Sequence, residues 1–355
     1  MVNCESDVRE LARDLVDVES VSGMEGPLAD MVQDALSSYP HLTVTRLGDA
    51  VVARTDFGNP RRVVVAGHLD TVPVAGNLPS RVEAIDHRQA LVGRGACDMK
   101  GGVAIQLSLA ASLVRAAKDV TWVFYDNEEV ESSRSGLGHL VREAPDLLRA
   151  DMAILMEPSD SKVEAGCQGS LRVDLRTHGV AAHSARSWTG HNAIHDMAGA
   201  LQVLNDYQAQ EVRVESLVYR EGLNAVRISG GVAGNVIPDR CDMMVNYRFA
   251  PDKDLDQAEQ IVRGIFSGYE VEVLDAAPPA PPGLSSPLVA SFVDAVGEVA
   301  PKYGWTDVAR FVQLGIPAVN YGPGNPDLAH TEGEYVFLDD VVACRERLAQ
   351  WLLTS

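Results

Sequence analysis

The sequence predicts an α/β protein of two domains, the smaller inserted into the larger, and three observations predict it. First, the chain has 355 residues, 46% of them hydrophobic and 23% charged, which is long for one domain and apolar enough to bury a large core. Second, short runs rich in Val, Ile, Leu and aromatics alternate with stretches of helical periodicity, as in a sheet with crossover helices. Third, that rhythm changes near Leu171 and resumes after AAPPAPPG at 276–283, where proline fixes the backbone and the periodicity stops. The expected domains are 1–171 with 284–355, and 172–283 inserted between them.

In chain order, strands are expected at Arg62 to Ala66 (RVVVA), Val120 to Tyr125 (VTWVFY), Met152 to Met156 (MAILM) and Ala318 to Tyr321 (AVNY). Between the first two, GGVAIQLSLAASLVRAAK reads as a packing helix with Val103, Leu107, Ala110 and Ala111 on one face. The inserted stretch reads strand (LRVDLRTHG), helix (NAIHDMAGALQVLNDY), strand (LNAVRISGG), strand (CDMMVNYRFA), helix (DLDQAEQIVRGIF) and strand (EVEVLD). That βαββαβ order is the ferredoxin-like, split-βαβ pattern. The helix in SPLVASFVDAVGEVA and the strand at Ala318 complete the first domain.

Charge excludes some partners. Thirty Lys and Arg against fifty Asp and Glu leave a formal charge of -20, which repels a polyanion, so no nucleic-acid partner is expected. The opening MVNCESDVRELARD is polar and acidic, with no apolar signal core, and no run of uninterrupted apolar residues is long enough to span a membrane. The five cysteines are scattered and form no CxxC pair. A reduced, cytoplasmic protein with no membrane partner is the expectation.

Ligands of open α/β sheets bind outside the carboxyl ends of the strands. Here RVVVA runs into His68 and Asp70, VTWVFYDN into Glu128 and Glu129, MAILM into Glu157, and AVNYGPGNPDLA into His330, while Asp98 in GRGACDMKGG precedes the helix. Histidine and carboxylate without thiolate suit zinc or a similar divalent ion in a catalytic site. Cys97 has no neighbouring cysteine and reads as packing. In HLD an extended chain puts His68 and Asp70 on one face, so Asp70 is expected to accept the second imidazole N–H. Two divalent ions would be neutralised by Asp98, Glu129, Glu157 and a bridging hydroxide, with His68 and His330 uncharged. Glu128 then has no metal to bind, which suits a general base.

GHLDTVP, GRGACDMKGG, NEE, ILMEPSD, GVAAHSARSWTGHNAIH, GGVAGNVIP, NYRFAP and GPGNPDLAHTEGEYV together resemble the dinuclear zinc amidohydrolases. That family includes aminoacylases, acetylornithine deacetylases, glutamate carboxypeptidases and desuccinylases, and the resemblance covers essentially the whole chain. It implies a catalytic α/β/α zinc-peptidase-like domain with an inserted lid and dimerisation domain. It implies two divalent ions, zinc with cobalt as the alternative: one on His68 and Glu157, one on Glu129 and His330, with Asp98 bridging and Glu128 as base. The Asp98–Met99 peptide is then cis. The resemblance also implies a homodimer in which His183 of the lid reaches the partner's site, with Asn235 and Arg248 holding substrate. Arg186, Ser170, Thr306 and Gly322 complete the candidate substrate-binding set.

GNLPSR, FYDNEEVESSRSGLG, EAGCQGSLRV, HSARSWTG and VNYRFAPD are similar to the actinobacterial branch that removes succinate from N-succinyl-LL-2,6-diaminopimelate, a small anionic N-acylated amino acid. One departure bears on specificity. The Gram-negative branch carries GRRGS where this chain has Gly166 to Ser170 (GCQGS), and a Tyr where it has Arg186. An acetylornithine deacetylase, another acyl-amino-acid hydrolase or carboxypeptidase, and a catalytically silent ligand-binding relative are the competing readings.

Overall fold

The apolar runs become neighbouring strands because β-branched residues pack well where both faces of a strand are covered. A computed structural model describes residues 3–354; the expected outer ends, 1 and 355, lie outside the described residues. One sheet of eight strands has the order Thr43–Leu47, Ala50–Arg54, Asp119–Tyr125, Arg62–His68, Met152–Leu155, Ala318–Asn320, Val163–Ala165 and Val299–Pro301. It is mixed. Arg62–His68 lies parallel to both Asp119–Tyr125 and Met152–Leu155, and Ala318–Asn320 is parallel to Met152–Leu155. Ala50–Arg54 and Val163–Ala165 pair antiparallel with their neighbours. Every residue of Asp119–Tyr125 and Met152–Leu155 is buried.

The strand expected to end at Ala66 continues through His68, which stands opposite Tyr125. The expected helix is shorter and differently packed. It spans Gly101–Ser112, and each residue from Gly101 to Ala111 is buried, so the single apolar face expected from the sequence is corrected. It packs on Arg62–His68 and on the helices Val8–Val16 and Leu338–Leu353, and a helix with neighbours all round needs no polar stripe. Gly102 permits this approach, since a Cβ there would lie 2.3 Å from the Met156 carbonyl oxygen. A three-stranded antiparallel sheet, Arg81–Ile85, Arg88–Val92 and Tyr335–Phe337, was not expected from the sequence.

By contact density the chain divides into two units. The first runs up to Ala165 and includes Gly283–Ala300 and the residues from Arg310 onward; the second comprises Gly166–Pro282 and Pro301–Ala309. Pro301–Ala309 joins the second unit because the Trp305 indole N–H donates to the Pro278 carbonyl at 3.0 Å.

The second unit is built on an antiparallel sheet ordered Gly222–Gly230, Arg240–Phe249, Gly169–His178, Glu270–Ala277. Alternation along Arg240–Phe249 buries Cys241, Met243, Val245, Tyr247 and Phe249, the period-two signature of a strand with one covered face. They share a core with Leu171, Val173, Leu175, Ala258 and Val262. The helix Leu255–Ile265 starts at a capping box between Asp254 and Gln257. The expected helix over 192–207 is two pieces, Ala193–Asp196 and Ala198–Asp206, meeting at Met197. The hairpin Glu211–Val214 with Leu217–Arg220, and the ribbon Ala182–His183 with Val236–Ile237, are additions to the expected elements.

Among the described residues no helix is long and apolar enough to cross a membrane. All five cysteines are buried free thiols.

Candidate metal centre

His68 closes its strand, Asp98 lies in the turn before the Gly101–Ser112 helix, and Glu129 follows the Asp119–Tyr125 strand. Their ligand atoms lie within 4.8 Å of one another. The Asp98–Met99 peptide is cis, as the resemblance implied. Asp98 stands between two histidines: Oδ1 is 3.1 Å from His68 Nε2, and Oδ2 is 3.5 Å from His330 Nε2. His330 Nε2 in turn lies 2.8 Å from Glu129 Oε1. Glu157 reaches the same sheet edge by register. Ala66 pairs with Leu155, and the Met156 N–H donates to the Ala66 carbonyl at 2.8 Å. Glu157, two residues beyond Leu155, is buried at that edge but lies outside the cluster of His68, Asp98 and Glu129. Gly322 packs on this corner, where a Cβ would stand 2.7 Å from the Glu157 carbonyl oxygen. An imidazole and carboxylate set of this density fits a divalent metal centre.

Asp70 does more than the sequence indicated. His68 Nδ1 faces the expected Asp70 carboxylate at 3.5 Å and the Asp70 backbone carbonyl at 3.0 Å, so the carbonyl joins the carboxylate as a tautomer-fixing partner. The buried Asp70 carboxylate also accepts the backbone N–H groups of Glu128 and Glu129, each at 3.0 Å, and the Ser22 hydroxyl at 2.7 Å. It thereby sets the loop carrying the expected base and a ligand. Ser22, Arg94 and Glu334 were missed by sequence reasoning. Arg94 and Glu334 lie within GRGACDMKGG and GPGNPDLAHTEGEYV, but their roles, like that of Ser22, are not legible there because each acts on a partner far away in the chain.

The cluster is strongly polarised. Hydrogen bonding first to Asp98 and then to Glu129 raises the His330 imidazole from 6.5 to about 10. Burial would lower His68, yet its bonds to Asp70 and Asp98 outweigh burial and raise it well above its usual value. Burial would raise the Asp98 carboxyl, but the bonds from His330 and His68 bring it below the ordinary range. A raised imidazole holds a proton at neutral pH that ligation must displace. Metal affinity should therefore rise with pH, by up to about tenfold per unit for each proton released. Calorimetric zinc titrations in buffers of unlike ionisation enthalpy should register that release; affinity independent of pH would contradict it.

The second unit holds other expected residues. His183 pairs with Val236 in the short ribbon, and the Ser184 N–H donates to the Asn235 carbonyl at 2.9 Å, so His183 and Asn235 are neighbours. The His183 Nδ1 accepts the Ala185 N–H at 3.1 Å. Arg248 and Ser170 stand opposite each other in register, and Ser170 accepts a bond from Asn246 at 3.2 Å. Burial, then the charge of Arg172, lowers the Arg248 guanidinium below its usual value. Arg186 is exposed on the segment following His183, and Thr306 is buried.

Residues 64–354 match peptidase family M20/M25/M40. A Mycobacterium tuberculosis protein provisionally named succinyl-diaminopimelate desuccinylase DapE is 50% identical over 356 residues, covering 99% of each chain. A Corynebacterium glutamicum succinyl-diaminopimelate desuccinylase is 44% identical over 354 residues, 96% of this chain and 95% of its own. Among solved structures, a Staphylococcus aureus tripeptidase superposes with a TM-score of 0.77 at 18% identity, covering 99% of this chain and 98% of its own, a likeness of fold.

Proposed function

This chain belongs to peptidase family M20/M25/M40 and is a metal-dependent hydrolase, and from that premise we propose that it cleaves N-succinyl-LL-2,6-diaminopimelate to succinate and LL-2,6-diaminopimelate, a step of lysine and diaminopimelate biosynthesis. The observation that carries this reading is the near full-length identity, 50% and 44%, to two relatives of that name. The geometry supports the class of chemistry, because Asp98 offers one carboxylate oxygen to each of two histidine neighbourhoods. We read the centre as taking two divalent ions, zinc or cobalt, on His68 with Glu157 and on Glu129 with His330, with Asp98 between them.

The ions, when bound, acidify water and polarise the scissile carbonyl. Glu129 is drawn into the ligand cluster, its carboxylate against His330, and Glu128 beside it on the same loop is our candidate for the base. It takes a proton from the attacking water and delivers it to the departing amine nitrogen as the C–N bond breaks. His183 accepts the Ala185 N–H on Nδ1, so in the neutral ring Nε2 carries the proton. That N–H is a suitable donor to the developing oxyanion.

We read the second unit as a ferredoxin-like lid inserted at 172–283 that also pairs two copies of the chain, each lending His183 to the other. The βαββαβ order supports this, and so does the sheet edge Gly222–Gly230. That strand is terminal in its sheet and exposes Val226 and Ile228, an unpaired edge of the kind that pairs with another chain. Inactive His183→Ala and Glu128→Gln chains, mixed and allowed to exchange, should regain activity, since one site of a mixed dimer has both groups. No recovery after verified exchange would leave each chain self-sufficient.

The succinyl carboxylate needs a cationic or hydrogen-bonding partner, because an unpaired buried anion is strongly unfavourable. Arg248 and Arg186 are the candidates, whereas an acetyl group needs neither. The succinyl substrate should exceed its acetyl analogue by about 10²-fold or more in kcat/KM, and Arg248→Ala should shrink that ratio. Comparable kcat/KM for N-acetylornithine would move the assignment to the deacetylases.

A further inference from the structure

Tyr335–Phe337 pairs antiparallel with Arg88–Val92, Tyr335 opposite Val92, and one step beyond that register the Gly93 N–H donates to the Glu334 carbonyl at 3.1 Å. The pairing sets Arg94 beside Glu334, both buried, with Arg94 Nη1 2.7 Å from Glu334 Oε2. The other carboxylate oxygen, Oε1, accepts the backbone N–H groups of Cys97 at 3.0 Å and Asp98 at 3.1 Å. Arg94 also donates to the Thr331 carbonyl, next to His330, and to the Pro73 carbonyl, both at 3.2 Å.

From these contacts we infer that the Arg94–Glu334 pair is a positioning device for the metal centre. Glu334 fixes the peptide that aims Asp98, and Arg94 ties the His330 loop to the same point. The inference rests on the two-ion reading given above.

Neither residue belongs to the ligand cluster, and both Glu334 oxygens are engaged by donors, so Glu334 acts through Asp98. A buried ion pair is a poor source of net stability, since desolvation offsets most of its attraction. Its use here is geometric. Asp98 must present two oxygens in two directions, and small misplacements of a metal or catalytic group are costly. The guanidinium also balances the Glu334 charge, which would otherwise add to a centre already rich in carboxylates.

The test uses the full chain, stripped of metal and titrated with zinc by calorimetry and with cobalt by visible spectroscopy, in the wild type, Glu334→Gln and Arg94→Lys. The wild type should take two ions per chain. Glu334→Gln should weaken at least one binding step by about 10- to 100-fold, the usual cost of losing a partner that orients a ligand. Its cobalt spectrum should change and kcat should recover in excess metal at unchanged KM. Arg94→Lys keeps the charge but not the fork of donors, and should lie between.

A purely structural pair would lower the melting temperature of the metal-free protein while leaving the affinities and cobalt spectrum of the folded fraction alone. That result in both variants overturns the inference. If Glu334→Gln does not fold, Arg94→Lys decides by the same measurements. A wild type that takes a single ion removes the two-ion reading itself, an outcome distinct from the first.

Discussion

Replacing Glu128 with glutamine is expected to cut kcat by about 10²- to 10⁴-fold while leaving metal content unchanged. The amide keeps the size and shape of the carboxylate but cannot accept a proton from water. The loop should stay in place, because Asp70 holds it by the backbone N–H groups of residues 128 and 129 and not by their side chains. Glu129, whose carboxylate lies against His330, is untouched. Metal analysis and kinetics on one preparation check this. Near-normal kcat in a metal-replete Glu128→Gln protein would remove Glu128 from the role of base.

Stripping the protein of divalent metal is expected to abolish turnover, and zinc should restore it. The metal-free protein should nevertheless remain folded. Four of the five expected ligands satisfy one another, His68 with Asp98 and His330 with Glu129, so most of the buried charge in the cluster is compensated without metal. Ions that bind only the folded state should still stabilise it, by about 2.7 kcal/mol for each site at a hundredfold excess over Kd. Circular dichroism should therefore change little while the melting temperature falls. Full activity after exhaustive chelation would contradict the metal-dependent reading, and loss of the circular dichroism signal would contradict the mutual satisfaction of the ligands.

The features legible in the sequence share a local cause. Parallel strands have a common carboxyl edge, so polar residues just beyond RVVVA, VTWVFY and MAILM had to arrive close together. His68 and Glu129 followed from that rule, Asp98 from its place before a helix that opens on two glycines. Where local pattern misled, a tertiary neighbour was responsible. The helix Gly101–Ser112 has no solvent face because the sheet and two helices cover it. The stretch 192–207 looked continuous, yet the helix breaks at Met197. The contact expected within HLD is present but shared with the Asp70 backbone carbonyl, because the period of a strand fixes which face a side chain occupies but not every atom it meets.

By itself the sequence determined the mixed α/β class, the apolar strands, and the order in which histidine and carboxylate residues reach the sheet edge, since side-chain period and turn chemistry are written in consecutive residues. The tertiary structure alone decided that Asp98 divides its two oxygens between His68 and His330, that Asp70 holds the backbone of Glu128 and Glu129, and that Arg94 meets Glu334 across 240 residues. Each is a pairing between distant segments. Strand register and side-chain direction bring such groups into contact, and neither can be read from the residues on one side of the pair.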